Sequence, residues 1–297
     1  MIFDQAMALR AKIRPSCTAL PKETRPGRSR IIAVTSGKGG VGKTNLVLNL
    51  ALRLAQMKLG VVLFDADLGL GNLDILINAV PKYTLEDVIY GERDLQEIMM
   101  DGPCNVKIIP GGSGLFDLAN LDLVRRHRLL DGLRLLEKEG EIILIDTSAG
   151  ISRNVLDFIA VADEYIIVTT PEPVALTDAY GMLKVIAGRN LSQTGYLVVN
   201  LTRHLQQGEM IYRRLQAMVQ NFLPGLNLQY LGDISYDSAV PKAVQNFSPF
   251  LLSYPGCAAT ASINKIAWRL LANKGFQSIP EPGKPGFIER LKLMLFR

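Results

Sequence analysis

The chain has 297 residues, 48% of them hydrophobic, and a formal net charge of +5. That length suits one large α/β domain or two small ones, and the modest charge permits contact with anionic lipid or nucleic acid without requiring it. Its three cysteines, Cys17, Cys104 and Cys257, form neither a CxxC pair nor a metal-ligand spacing, which argues against a disulfide framework or a zinc site and for a reducing cytosol. Residues 1–30 read as a leader: a short helix-like piece over 4–13, with Ala6, Leu9 and Ile13 as its apolar stripe, then a loop rich in Pro, Arg and Gly. No continuous apolar h-region marks a signal peptide there, and no apolar run in the chain is long enough to span a bilayer. Residues 31–275 alternate β-branched runs with helical patterns. Strands are predicted at 31–35, 61–65, 106–109, 142–146, 165–169, 196–200 and 228–231, and helices at 45–57, 117–137, 154–160, 177–187 and 210–222. Most of the strand runs are apolar on both faces, as buried parallel strands are. The expected fold class is therefore α/β, a three-layer α/β/α sandwich with a mostly parallel central sheet and ligands at the C-terminal strand ends. Residues 276–297 close the chain with a linker holding Pro280, Pro282 and Pro285 and a short terminal segment.

The first predicted strand runs directly into Gly37-Lys38-Gly39-Gly40-Val41-Gly42-Lys43-Thr44-Asn45 at the start of a predicted helix. This matches G-x-x-x-x-G-K-[ST] in its required strand-to-helix context, the P-loop that cradles nucleotide phosphates. The glycines let backbone N–H groups curl around phosphate oxygens, and the helix N-terminus adds positive potential. Lys43 is the candidate for the β- and γ-phosphates and Thr44 for Mg²⁺. Lys38 stands just after the first glycine and could neutralise phosphate charge across a dimer interface, as an arginine finger supplied in trans does. The plainer alternative is a solvated loop lysine.

Three carboxylates stand at predicted strand ends. Asp65 and Asp67 close the second strand ahead of Gly69 and Gly71, a candidate switch segment in which Asp67 positions or polarises the attacking water and Asp65 supports the metal. Capping and turn formation are the ordinary alternative. Asp146 ends a run of bulky apolar residues, the Walker B pattern of a Mg²⁺-holding carboxylate. For the base, Asn200 could pair with an adenine edge, Arg203 follows it, and residues 232–237, including Asp233, could form the other wall. Asn200 as a mere turn residue stays open. Residues 200–203 are not N-K-x-D, which favours ATP over GTP. At the C-terminus Phe287, Leu291, Met294 and Leu295 share one helical face, Ile288 and Phe296 add apolar surface, and Arg290, Lys292 and Arg297 are positive. That composition suits a helix lying on an anionic membrane. A helix packed on the protein body is the alternative.

Taken together, Lys38 within GKGGVGKT, Asp65-Ala66-Asp67 with Gly71-Asn72, and Asp146-Thr147-Ser148-Ala149-Gly150 resemble the MinD/ParA group of deviant-Walker P-loop ATPases over residues 30–270. The resemblance implies a P-loop NTPase that binds and hydrolyses ATP to ADP with Mg²⁺. It implies a homodimer sandwiching two nucleotides, with Lys38 acting in trans and Asp67 aligning the water. Ser148 departs from the family, which commonly has proline there. Residues 4–10, through Asp4, Gln5, Leu9 and Arg10, look like the DQAxxLR motif of the FlhG (FleN/YlxH) flagellar number regulators, and residues 170–180 are similar to a segment of the same family. This likeness implies control of flagellum number and placement and stimulation of the GTPase FlhF through the N-terminus. It also implies reversible peripheral attachment to the inner face of the cell membrane. Flagellar C-ring proteins or a flagellar transcription regulator are further partners it would allow. A ParA-like partitioning ATPase on non-specific DNA is the competing reading, with Arg125, Arg126, Arg128, Arg213 and Arg214 as a basic face, and DNA is the less expected partner. A transcription anti-activator acting by binding is compatible with the flagellar reading. A redox ATPase would need paired cysteines at the dimer axis, and the chain has none so placed.

Overall fold

A computed structural model describes residues 29–67, 73–112, 140–191 and 194–272, with isolated positions between 122 and 136 and between 290 and 293. In chain order the elements are β1 (Arg30–Ser36), α1 (Lys43–Gln56), β2 (Val61–Ala66), α2 (Leu73–Leu76), α3 (Leu85–Tyr90), α4 (Leu95–Ile98), β3 (Met100–Asp101), β4 (Lys107–Ile109), β5 (Ile142–Ala149), α5 (Arg153–Val161), β6 (Glu164–Thr169), α6 (Pro173–Gly188), β7 (Thr194–Thr202), α7 (Gln207–Phe222), β8 (Asn227–Ser235), α8 (Ala239–Gln245), α9 (Phe250–Ser253) and α10 (Ala258–Ala272). The eight strands form one sheet in the order β3-β4-β2-β5-β1-β6-β7-β8. All described pairings are parallel except β3 with β4 at the edge.

The strands are buried because their side chains alternate into two separate cores. Ile31, Ala33, Phe64, Ile143, Ile145 and Ile167 face the layer built from α3 to α7. Ile32, Val34, Leu63, Leu144, Ile166 and Val198 face the layer built from α1, α2 and α8 to α10. The three-layer α/β/α sandwich expected from the apolar runs is therefore present.

Differences from the expected elements have local causes. Helix α10 was not among the predicted helices, although Ala259, Ile263, Ile266, Ala267 and Leu270 recur at helical spacing and are buried. Strand β8 runs past the predicted stop at 231 because the register shifts at Gly232 and pairing with β7 resumes beyond it. Strand β1 starts at Arg30, the last residue of the expected leader. Arg30 donates to Glu164 Oε2 through Nη2 at 2.6 Å and to the Leu270 carbonyl at 2.8 Å. The expected helix over 117–137 falls on residues of which few are described. Asp4, Gln5, Leu9 and Arg10 lie outside the described residues, as do Gly69, Gly71, Asn72, Phe287, Ile288, Leu291, Met294, Leu295 and Phe296. Among the described residues no helix is long and apolar enough to cross a membrane.

Candidate nucleotide site

The phosphate loop leaves the centre of the sheet, where a parallel α/β fold opens its crevice. Residues 37–42 join β1 to α1, and the turn needs glycine. Gly42 has φ 84°, and a Cβ there would lie 2.3 Å from Asn200 Nδ2. A Cβ on Gly37 would lie 2.4 Å from the backbone carbonyl of Asp178 in α6. Bulkier residues would push the loop off both neighbours.

Strand pairing gathers the charged groups. Asp65 on β2 and Asp146 on β5 are register partners, so parallel pairing alone sets the two carboxylates side by side. The Lys43 Nζ donates to Asp146 Oδ1 at 2.5 Å, with side chains 7% and 0% exposed. Asp146 Oδ2 is buried and makes no hydrogen bond of ordinary geometry. Burial raises the Asp146 pKa, while Lys43 and then the Thr44 hydroxyl pull it down. The backbone N–H of Asp67 donates to Asp65 Oδ1 at 3.0 Å, holding Asp67 at the mouth of the strand. Asp65 is pushed up to about 7, chiefly by burial and next by repulsion from Asp146.

That shift has a defined sign. The folded chain binds the Asp65 proton more tightly than the unfolded chain does, so stability is lost as pH rises from the ordinary value of 3.8 through about 7. Asp65→Asn should flatten the fall in unfolding temperature from about pH 4 to about pH 7 and give a higher unfolding temperature than the parent above that. A pH series of thermal melts without nucleotide checks this, and an unchanged slope would remove Asp65 as the cause.

Lys38 stands apart from this cluster. It is exposed, and its Nζ pairs with Glu172 Oε2 at 3.1 Å, just ahead of α6. Glu172 lies in the 170–180 segment, but nothing in its spacing marked it as the partner of Lys38.

Beyond β7, Asn200 Nδ2 donates to the Val41 carbonyl at 2.8 Å and Asn200 Oδ1 accepts from the Leu201 N–H at 2.9 Å. The amide therefore ties the β7 end to the phosphate loop. Arg203 lies over the Tyr236 ring at 5.1 Å. Both oxygens of Asp233 are engaged, by Thr202 Oγ1 at 3.0 Å and Tyr230 OH at 2.7 Å, so its carboxylate organises the wall. Thr202, Arg203, Asp233, Ser235 and Tyr236 belong to the lining of a 420 Å³ cavity at the ends of β7 and β8. The sequence pointed to Asn200, Arg203 and the wall segment 232–237 that holds Asp233 and Tyr236, but not to the stacking of Arg203 on Tyr236. Gly37 to Asn45, Asp65, Asp67, Asp146 and Asn200 thus converge on one edge of the sheet, with Arg203 and Asp233 at its far end.

The chain matches the family described as AAA domain over residues 29–194. It is 36% identical over 268 residues to the antiactivator FleN of Pseudomonas aeruginosa, covering 88% of this chain and 93% of that one. It is 34% identical over 272 residues to the flagellum site-determining protein YlxH of Helicobacter pylori, covering 89% and 90%. It shares its fold with the septum site-determining protein MinD of Pyrococcus horikoshii, solved complexed with Mg-ADP, at a TM-score of 0.68 and 24% identity over 84% of this chain and 99% of that one. The chain belongs to the AAA-domain family, and within it to the FleN/YlxH members of the MinD/ParA-type P-loop ATPases.

Proposed function

We propose that this ATPase is a nucleotide-gated switch that dimerises on ATP and acts in flagellum number and placement. The observation that carries the switch is the separation of its two lysines. Lys43 is buried among the carboxylates, whereas Lys38 is exposed and turned to Glu172. A lysine on the outer side of the phosphate loop is available to the triphosphate of a second copy. In this reading the amides of residues 37–45 and Lys43 hold the phosphates. Asp67 orients the attacking water, and Lys38 from the facing copy neutralises charge as the γ-phosphate departs. Asn200 keeps the loop in shape, while Arg203, Asp233 and Tyr236 wall the base.

Mg²⁺ fits this site: the buried Asp146 Oδ2 lacks a hydrogen bond, and the Thr44 hydroxyl acts on the same carboxylate. Thr44, Asp65 and Asp146 would hold it, and the ion would neutralise phosphate charge. The name of the Helicobacter relative, a flagellum site-determining protein, supports the flagellar setting, where Asp4, Gln5, Leu9 and Arg10 would act on a GTPase of the FlhF type.

Membrane attachment through residues 276–297 belongs to the same reading. Arg290 Nη2 pairs with Asp163 Oδ1 at 2.7 Å, and its Nη1 donates to the Ala162 carbonyl at 3.1 Å. This contact ties the terminal segment to the body, and dimerisation would release two such segments together, where effective concentration compensates for weak single contacts. Asp163→Asn keeps an acceptor for the Ile31 N–H, bonded by Asp163 Oδ2 at 2.9 Å, and deletes the charge facing Arg290. The variant should sediment with anionic vesicles in ADP several times more than the parent does. Parent protein should sediment only with ATP. Equal sedimentation in ATP and ADP would contradict the gated membrane cycle.

A further inference from the structure

The two helical layers differ in charge. In the layer of α1, α2 and α8 to α10, the carboxylates among the described residues are Asp74 on α2 and Asp237 just ahead of α8, which accepts from the Ala258 N–H at the far end of α10 from Trp268; none occurs from Thr44 to Phe64 or from Ser238 to Ala272. The opposite layer carries Asp157 on α5, Asp178 on α6 and Glu209 on α7. Lys58, Lys242 and Lys265 are exposed on the stretches without carboxylates. Two aromatic rings stand among these lysines. Phe247 is 51% exposed and Trp268, on the same face of α10 as Lys265, is 61% exposed. In a water-facing helix this ring should turn inward, since its full burial would be favourable.

We infer that this layer is a contact surface for an anionic lipid membrane, with Trp268 seated at the headgroup level beside Lys265. The inference rests on the membrane attachment proposed above and adds the protein body to it. Two arguments select lipid as the occupant. The first is charge: a surface on which the exposed Lys58, Lys242 and Lys265 outnumber Asp74 and Asp237 is attracted to an anionic bilayer, and a tryptophan flanked by lysine is a residue pair suited to the interface. Nucleic acid is the weaker fit, because the cations are few and scattered and the aromatic rings are not interleaved with a continuous basic track. The second is continuity. Trp268 lies just ahead of the last turn of α10, and the Leu270 carbonyl in that turn accepts from Arg30, which pairs with Glu164. The neighbouring Asp163 holds Arg290 of the terminal segment. A membrane reached by that segment lies against the same end of the sheet as Trp268.

The chain has one tryptophan, so its intrinsic fluorescence reports on this contact alone. The full chain with ATP is mixed with phosphatidylglycerol vesicles, phosphatidylcholine vesicles or duplex DNA. Emission should shift to the blue with phosphatidylglycerol and be quenched by brominated lipid, and neither neutral vesicles nor DNA should move it. Lys242→Glu should reduce both the shift and sedimentation severalfold with ATP binding unchanged, and Trp268→Ser should reduce sedimentation likewise. Sedimentation with an unmoved, unquenched emission would overturn this contact and leave the terminal segment as the anchor. A shift with DNA alone would assign the layer to nucleic acid, and no sedimentation in any nucleotide would overturn both this contact and the membrane reading.

Discussion

Lys43→Ala is expected to abolish measurable ATP binding and hydrolysis and to destabilise the nucleotide-free protein. Both effects come from one atom. Its Nζ is the positive charge at the base of the phosphate loop, and without nucleotide it neutralises Asp146, which is fully buried. Removing one partner of a buried ion pair costs about 3–5 kcal/mol because it strands the other charge. Asp146 sheds part of that cost by taking up a proton, which its upward-shifted pKa already favours. The loss of stability should therefore be greatest at alkaline pH. Combining Lys43→Ala with Asp146→Asn separates the two effects: neither charge is left stranded, so stability should return toward that of the parent while ATP binding and hydrolysis stay lost. Fluorescent-nucleotide titration and thermal melts of both variants check this. Near-parental ATP affinity in Lys43→Ala would place the phosphates elsewhere.

The second large effect belongs to Asp67. Its replacement by alanine should leave ATP affinity within a small factor of the parent while hydrolysis falls by ~10²-fold or more, the usual weight of a positioned acid–base group. Asp67 is not part of the Lys43–Asp146 pair, and its backbone N–H, which donates to Asp65 Oδ1, survives the substitution. The consequence of slow hydrolysis is a dimer that outlasts the parental one, read as a longer-lived heavy species after ATP is added. Parental turnover in the variant would remove Asp67 from the chemistry.

Most of the central site was legible in the sequence because its parts are local. The phosphate loop occupies consecutive residues, and Asp65, Asp146 and Asn200 each end a strand run whose apolar pattern announces a buried parallel strand. Once those strands are parallel neighbours, the fold has no other place for the carboxylates than the loop's edge. The parts not legible are contacts between distant segments. Glu172 meets Lys38 across 134 positions of sequence, and Asn200 reaches Val41 across 159. No spacing rule encodes either. Asp233 shows the converse: a carboxylate in the expected place turns out to bond Thr202 and Tyr230, because its neighbours on β7 and β8 offer hydroxyls at the right distance. Helix α10 was missed for another reason. Its apolar positions alternate small and large residues, and Ala259 and Ala267 weaken a stripe that Ile263, Ile266 and Leu270 complete.

Molar mass by size-exclusion chromatography with light scattering, comparing the parent with Lys38→Ala in ADP and in ATP, bears most directly on the switch. Lys38 is exposed and paired only at the surface, so its removal should spare the fold and nucleotide binding. The parent should be a monomer in ADP and a dimer in ATP, and Lys38→Ala should stay a monomer in both while still binding ATP. A Lys38→Ala chain that binds ATP and dimerises as the parent does would contradict the account.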